Sequence, residues 1–154
     1  MARVRGWILR RLLKSALVFE REASGLYATL HGKLGDNAAA GIYHLIEEER
    51  LHQKLLEDIA LGRVPDDALE EILAAHRFHA LEEIEPVDRA TREAYGPTLE
   101  QALHDEEATV AFYANLALVS KIPVVKHAFR VLADMEREHV AILKRLLEAP
   151  SAPE

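Results

Sequence analysis

Two Glu-x-x-His units, at residues 49–52 and 136–139, are the parts of this sequence best suited to chemistry. Residues three apart on a helix lie on the same face, so the glutamate and the histidine of each unit can reach one site. One further glutamate precedes each unit on a separate stretch of chain. Four carboxylates and two imidazoles are the ligands with which four-helix bundles bind two metal ions. The predicted metal ligands are Glu20, Glu49, His52, Glu106, Glu136 and His139.

An internal repeat relates the two halves of the chain. Residues 20–30 read EREASGLYATL and residues 106–116 read EEATVAFYANL, with the glutamate, the tyrosine and the closing leucine in register. The offset between the two glutamates is 86 residues (106 − 20), and that between the two histidines is 87 (139 − 52). The sequence therefore predicts one helical hairpin that is used twice.

Four long helices are expected to carry these residues, because apolar side chains recur at steps of three and four along each half. Glycines and prolines punctuate the pattern at the expected helix ends. The predicted helices run from Trp7 to His31, from Asp36 or Asn37 to Gly62, from Leu99 after Gly96-Pro97-Thr98, and from Pro123 to Leu146.

A long crossover, residues 61–95, separates the two predicted hairpins and is expected to contain a short helix at 66–79. If the hairpins pack about a two-fold axis, the chain must return along the bundle by about 30 Å, at about 1.5 Å per helical residue. Four-helix bundles with one long crossover have the ferritin-like arrangement. We therefore expect an all-α, ferritin-like four-helix bundle as a single domain over residues 1–149, with a flexible tail at 150–154.

The six candidate ligands occupy positions that the helical periodicity assigns to the core. Burying an unpaired carboxylate is costly, and a pair of divalent cations would neutralise four at once. Carboxylates with one imidazole per metal suit iron or manganese better than copper or structural zinc. A solvated helix face or a buried ion-pair network is the alternative, but it leaves the matching interruptions of the apolar stripe in both halves unexplained.

Other polar residues are weaker candidates for a role at the metal site. Tyr27 and Tyr113 either pack in the core or donate hydrogen bonds to ligand carboxylates. Glu48 could orient a metal-bound histidine from another helix, but Met135 takes its place in the second half, and a surface pair with His44 is the expected role. A face of the crossover helix with three polar side chains is expected to be solvated. Those side chains are His76, His79 and Glu83.

Composition limits the possible partners. The chain of 154 residues has no cysteine, which excludes thiolate metal sites and iron–sulfur clusters within it. A formal charge of −7 disfavours nucleic acid and anionic membranes as partners. No apolar run reaches the length of about 18 residues that a membrane span needs. A cytoplasmic location is the expectation, although the basic start of the chain leaves an organelle transit peptide open.

The paired Glu-x-x-His units, the glutamate with a tyrosine seven residues on, and the repeated hairpin resemble the rubrerythrin branch of the ferritin-like superfamily over residues 16–147. The resemblance implies two iron ions, with manganese possible. Glu20 and Glu106 would be terminal carboxylates, and Glu49 and Glu136 would bridge the metals. His52 and His139 would each bind one metal ion.

The same resemblance implies reduction of hydrogen peroxide to water, or reaction with oxygen, in a homodimer. Rubrerythrins with a rubredoxin-like module use cysteine ligands, so this cysteine-free chain resembles the short erythrin type and needs an external donor such as a rubredoxin. Leu103 and Thr109 stand where the family has an additional carboxylate one turn from Glu106, which puts efficient peroxidase activity in doubt.

Three alternatives stay open at this point. A ferroxidase that sequesters iron would use the same ligands within a large hollow assembly. A helical scaffold without a functional metal would tolerate alanine at His52 or His139. An oxygenase would need a pocket beside the metals, near Leu103, Thr109 or Phe112.

Overall fold

The computed structural model describes residues 2–34, 36–63, 71 and 84–149. Four long helices account for most of this part of the chain, and it contains no strand. The helices are α1 (Ala2–His31), α2 (Asp36–Ala60), α3 (Arg89–Val119) and α4 (Pro123–Leu146). The predicted all-α four-helix bundle is confirmed. None of the described helices has the length and apolar character needed to cross a membrane.

The helices pair as two hairpins, with α1 packed mainly on α2 and α3 mainly on α4. At the end of α1, the backbone amide of Leu34 donates to the carbonyl of Leu30 at 3.1 Å. At the end of α2, Gly62 takes a left-handed backbone conformation with φ +67°, which a glycine adopts without steric cost. Pro123 begins α4, as predicted, since its missing amide is not needed in the first helical turn.

Helix α3 begins at Arg89, about ten residues earlier than the sequence pattern predicted. The prediction that Gly96-Pro97-Thr98 precedes this helix is wrong, because α3 continues through Pro97. Its start is set by Asp88, whose side chain accepts a hydrogen bond from the amide of Thr91 at 2.7 Å. The crossover is correspondingly shorter, ending at residue 88. Apart from residue 71, which is helical, the helix predicted at 66–79 lies outside the described residues, as do His76, His79 and Glu83.

The segment before α3 is attached to the end of α4. The amide of Val87 donates to the carbonyl of Leu146 at 3.0 Å, and the guanidinium of Arg145 donates to the carbonyl of Ile84 at 3.0 Å. Ile84 and Val87 are themselves buried in the apolar core. These contacts fix the position at which α3 starts, and periodicity within α3 alone does not encode them.

Two apolar clusters fill the bundle, one at each end of its interior. One includes Leu13 and Phe129, and the other includes Leu30 and Ile142. Along every helix, the buried polar residues lie between side chains of the first cluster and side chains of the second. The apolar residues therefore enclose a polar layer across the middle of the bundle.

Candidate metal centre

The polar layer consists of the six side chains that the sequence predicted as metal ligands. Each is between 0% and 3% exposed, so the alternative of a solvated helix face is wrong. Each helix contributes to the layer: one glutamate comes from α1 and one from α3, and a Glu-x-x-His unit comes from α2 and from α4. The residues are Glu20, Glu49, His52, Glu106, Glu136 and His139.

His52 directs its Nδ1 atom at carboxylates of two other helices. This atom lies 3.0 Å from Glu136 Oε1 on α4 and 3.3 Å from Glu20 Oε2 on α1. Because His52 follows Glu49 by three residues, its imidazole lies on the same buried face of α2 as the Glu49 carboxylate, as helical geometry predicts.

His139 has the corresponding arrangement in the second hairpin. Its Nδ1 atom lies 3.0 Å from Glu136 Oε2, 3.1 Å from Glu49 Oε1 and 3.9 Å from Glu106 Oε2. One oxygen of Glu136 therefore faces each histidine. This position in the centre of the layer is the one from which a carboxylate can serve two metal ions.

Two tyrosines connect the hairpins across the layer. The hydroxyl of Tyr27 on α1 donates to Glu106 on α3, and that of Tyr113 on α3 donates to Glu20 on α1. Both hydroxyls are buried beside carboxylates, and burial followed by the negative charges raises the pKa of each well above its ordinary value. Each tyrosine therefore remains a hydrogen-bond donor at neutral pH and holds the carboxylate of the opposite hairpin in place.

Without a metal, the layer holds extra protons. Burial, followed by the charge of Glu20, raises the pKa of Glu136 to about 8. Burial acts to lower the pKa of His52, but the charge of Glu20 and the hydrogen bond to Glu136 raise it to about 10. The pKa of His139 is likewise raised, chiefly by Glu136 against the effect of burial. These protons would have to leave when metal ions bind.

Some buried atoms of the layer have no hydrogen-bond partner. Both carboxylate oxygens of Glu49 are in this state, although Oε1 lies 3.1 Å from His139 Nδ1. Buried polar atoms rarely remain unsatisfied, so a carboxylate with an oxygen that accepts no hydrogen bond at the centre of a bundle fits the role of a metal ligand. Four residues present ligand atoms within 4.8 Å of one another, namely Glu49, His52, Glu136 and His139. Their oxygen and nitrogen donors fit iron or manganese.

Glu48 is closer to the layer than the sequence suggested. Its Oε2 atom lies 3.7 Å from His52 Nε2, on the side of the ring away from the other carboxylates. Its Oε1 atom lies 3.7 Å from His44 Nε2, and both side chains are mostly buried, at 14% and 16% exposure. The predicted pair of His44 and Glu48 is therefore confirmed, but its expected position at the surface is wrong. The spacing of four residues between Glu48 and His52 was the available signal.

Residues 98–152 match the rubrerythrin family. The rubrerythrin match includes Tyr113 and three of the six layer residues, Glu106, Glu136 and His139. It does not extend to α1 and α2, where the internal repeat supplies the counterparts of these residues. The rubrerythrin match and the buried Glu/His group are both consistent with a metal-binding carboxylate site in this bundle. No curated protein and no solved structure gives a significant match to the chain.

Proposed function

We propose that this protein is a di-iron carboxylate oxidoreductase that reduces hydrogen peroxide with electrons from an external donor. The observation that supports this function best is the convergence of four buried carboxylates and two imidazole Nδ1 atoms in one layer. Ion pairing alone does not account for this set, because Glu49 Oε1 has an ion pair with His139 at 3.1 Å but the buried Oε2 atom has neither a hydrogen bond nor an ion pair within the described part of the chain.

The six layer residues would hold the two metals in two equivalent groups. Glu49 and Glu136 would bridge, since each comes from the Glu-x-x-His unit of one hairpin and contributes to the central group of ligand atoms. Glu20 with His52 would complete one position, because 3.3 Å separates their nearest atoms. Glu106 with His139, at 3.9 Å, would complete the other. Iron is the proposed metal, and manganese fits the same donors.

A pair of iron ions supplies two one-electron changes, which match the two electrons that convert hydrogen peroxide and two protons into two waters. The protein positions the carboxylates and excludes bulk water. Tyr27 and Tyr113 hold the carboxylates of Glu106 and Glu20 by hydrogen bonds from the opposite hairpin. The two apolar clusters enclose the layer at both ends.

The electrons are proposed to come from a separate donor protein such as a rubredoxin, because the chain has no cysteine with which to bind its own electron-transfer iron. A homodimer is the proposed assembly, in keeping with the general frequency of two-fold symmetric oligomers. No role in binding nucleic acid or membranes is proposed, given the net charge of −7.

Metal content and optical spectroscopy test the function. Protein loaded anaerobically with ferrous iron should contain about two irons per chain, the number that this class of bundle binds. Hydrogen peroxide should convert it quickly to an oxidised form with near-ultraviolet absorption. A variant with His52→Ala and His139→Ala should lose this response, whereas His104→Ala, an exposed residue on α3, should retain it.

The alternative is a ferroxidase that sequesters iron. Slow reaction with peroxide and fast oxidation by oxygen would favour it over the proposed function. Storage also requires a large hollow assembly, so a dimer in sedimentation or sizing experiments would count against that alternative. Protein that takes up no iron under either condition would overturn both.

A further inference from the structure

A cavity of about 260 Å³ lies beside the metal layer, between α1 and α3. Its wall includes Tyr27 and Glu106, the hydrogen-bonded pair at one end of the layer. Two exposed acidic residues, Glu22 and Asp105, also line it and so place its mouth at the protein surface. Most of the remaining lining is apolar. The cavity therefore connects solvent with one half of the candidate metal centre.

The internal repeat explains why the cavity reaches only one half of the candidate metal centre, the half that contains Glu106. Phe19 and Phe112 face each other across the groove, with ring centroids 5.2 Å apart and planes at 80°. Phe112 also contacts Tyr113, which bonds to Glu20, with ring centroids 5.8 Å apart. The two phenylalanines are part of the cavity wall and separate the cavity from the Tyr113–Glu20 pair, neither of which lines it.

The repeat offset of 86 residues places Asp105 where the first half has Phe19 (105 − 19), and Leu26 where the second half has Phe112 (112 − 26). A carboxylate and a leucine therefore replace the two aromatic rings at the equivalent place near Tyr27 and Glu106. These smaller side chains do not close the groove, and both Asp105 and Leu26 line the cavity. Two further pairs of equivalent positions in the cavity wall also differ, Glu22 with Ala108 and Ala23 with Thr109, but neither pair contains an aromatic ring. The asymmetry of the groove is therefore assigned to the two positions that exchange a ring for a smaller side chain.

We infer that this cavity is the route by which a small uncharged reactant reaches the metal centre, and that it serves the Glu106 half alone. This inference rests on the proposed function and gives the peroxide or oxygen of that function a place of entry. Glu22 and Asp105 disfavour anions at the mouth by charge repulsion. Apolar walls disfavour hydrated ions, because an ion would lose solvation there without gaining ligands. A neutral molecule of a few atoms meets neither obstacle.

Exchanging residues between the two halves tests the inference. In the closed variant, Leu26→Phe with Asp105→Phe reproduces the aromatic pair of the other side. In the matched control, Leu26→Met with Asp105→Asn changes the same positions without adding rings. Thr109→Leu fills the cavity from its wall and serves as a second closing variant in case the double phenylalanine variant does not fold.

The primary readout is the association rate of nitric oxide, a neutral probe, with protein loaded with ferrous iron. We expect at least tenfold slower association in the closed variant and in Thr109→Leu, an unchanged rate in the control, and unchanged iron content in all. Crystals of metal-free protein under xenon pressure should bind xenon in the cavity of the parent but not in the closed variant.

Equal rates in the parent and closed variants, with xenon absent from the parent cavity, would overturn the inference. Slower loading of ferrous iron with unchanged association of nitric oxide would also overturn it, because the cavity would then admit the metal instead. Failure of the parent to take up iron would overturn the proposed function, while the xenon experiment would still report on the cavity.

Discussion

The imidazole rings of His52 and His139 are stacked, with centroids 5.1 Å apart and planes only 17° from parallel. The two histidines come from different hairpins, yet both direct Nδ1 at Glu136 at 3.0 Å. Each Nδ1 atom also lies close to the glutamate of the other hairpin's Glu-x-x-His unit, at 3.0 Å for His52 with Glu136 and 3.1 Å for His139 with Glu49. Stacked rings with these two matching contacts are the arrangement expected of a repeated motif packed about a two-fold axis. The stack therefore links the internal repeat of the sequence to the geometry of the candidate metal centre.

Each histidine is expected to bind one metal ion. His52→Ala or His139→Ala should reduce the bound metal from about two ions per chain to about one, with affinity for the remaining ion weakened by at least about tenfold, since the carboxylates are shared. Metal analysis after dialysis against a graded series of chelator concentrations measures both effects. His104→Ala on the exposed face of α3 is the control and should bind metal like the parent. Unaltered metal content in either histidine variant would exclude that residue as a ligand.

The hydroxyls of Tyr27 and Tyr113 are expected to matter equally, because they make equivalent bonds across the layer. Replacing either with phenylalanine keeps the ring but leaves a buried carboxylate with one donor fewer. We expect metal affinity to fall by about 10- to 100-fold, and the metal-free protein to lose about 1–3 kcal/mol of stability. Chelator competition and urea unfolding measure the two quantities. Tyr43→Phe, at a side chain that is 54% exposed, should change neither.

The stability of the metal-free protein should depend on pH in a direction set by the protons that the layer holds. The pKa of Glu136 rises from 4.5 to about 8 on folding and that of His52 from 6.5 to about 10. Both groups favour the protonated state when folded. Their contribution to the free energy of unfolding is therefore fully present below the pKa values of the unfolded state. It is lost as pH rises through the folded-state pKa values of about 8 for Glu136 and about 10 for His52.

Urea unfolding of metal-free protein between pH 5 and 10 measures this loss, and Glu136→Gln should remove the part of it that occurs between about pH 5 and pH 8. Metal binding should show the opposite trend, because bound cations displace the same protons and affinity rises with pH. A metal-free stability that increases from pH 7 to 10 would contradict this account of the layer.

The sequence was sufficient to predict the bundle, the helix pairs and the six polar residues of the layer, because helical periodicity and the internal repeat can both be read directly from the order of residues. The start of α3 was mispredicted for a physical reason. Gly96 and Pro97 are strong helix-ending signals, but the Asp88 cap and the hydrogen bond between Val87 and Leu146 begin the helix before them. That hydrogen bond joins residues far apart in sequence, so no local pattern contains it.

The cavity was beyond sequence prediction for a similar reason. The sequence leaves open whether Leu103, Thr109 or Phe112 makes space for a pocket beside the metals; Thr109 and Phe112 line the cavity, and Leu103 does not. Whether such side chains fill a groove depends on the residues that face them from α1. The edge-to-face contact of Phe19 with Phe112 shows which side is filled. The repeat alone identifies equivalent positions, but it does not identify which of them are in contact.

Glu48 is expected to make the two metal positions unequal. It lies 3.7 Å from His52 Nε2, whereas Met135 holds the equivalent place four residues before His139. Neither Nε2 atom has a direct hydrogen-bond partner in the described structure, so the carboxylate of Glu48 is the feature that distinguishes the two histidines. A carboxylate behind a metal-bound imidazole strengthens the ligand, either directly or through a bridging water. Glu48→Gln should therefore weaken binding of one metal ion by about tenfold and leave the other nearly unchanged.

Isothermal titration with manganese or ferrous iron resolves the two binding steps. Glu47→Gln, next in sequence and paired with Arg50 at the surface, is the matched control and should leave both steps unchanged. Met135→Glu supplies the missing carboxylate to the second half and should bring the two affinities closer together. If Glu48→Gln weakened both ions equally, the carboxylate would act on the layer as a whole through its charge, and a specific role behind His52 would be excluded.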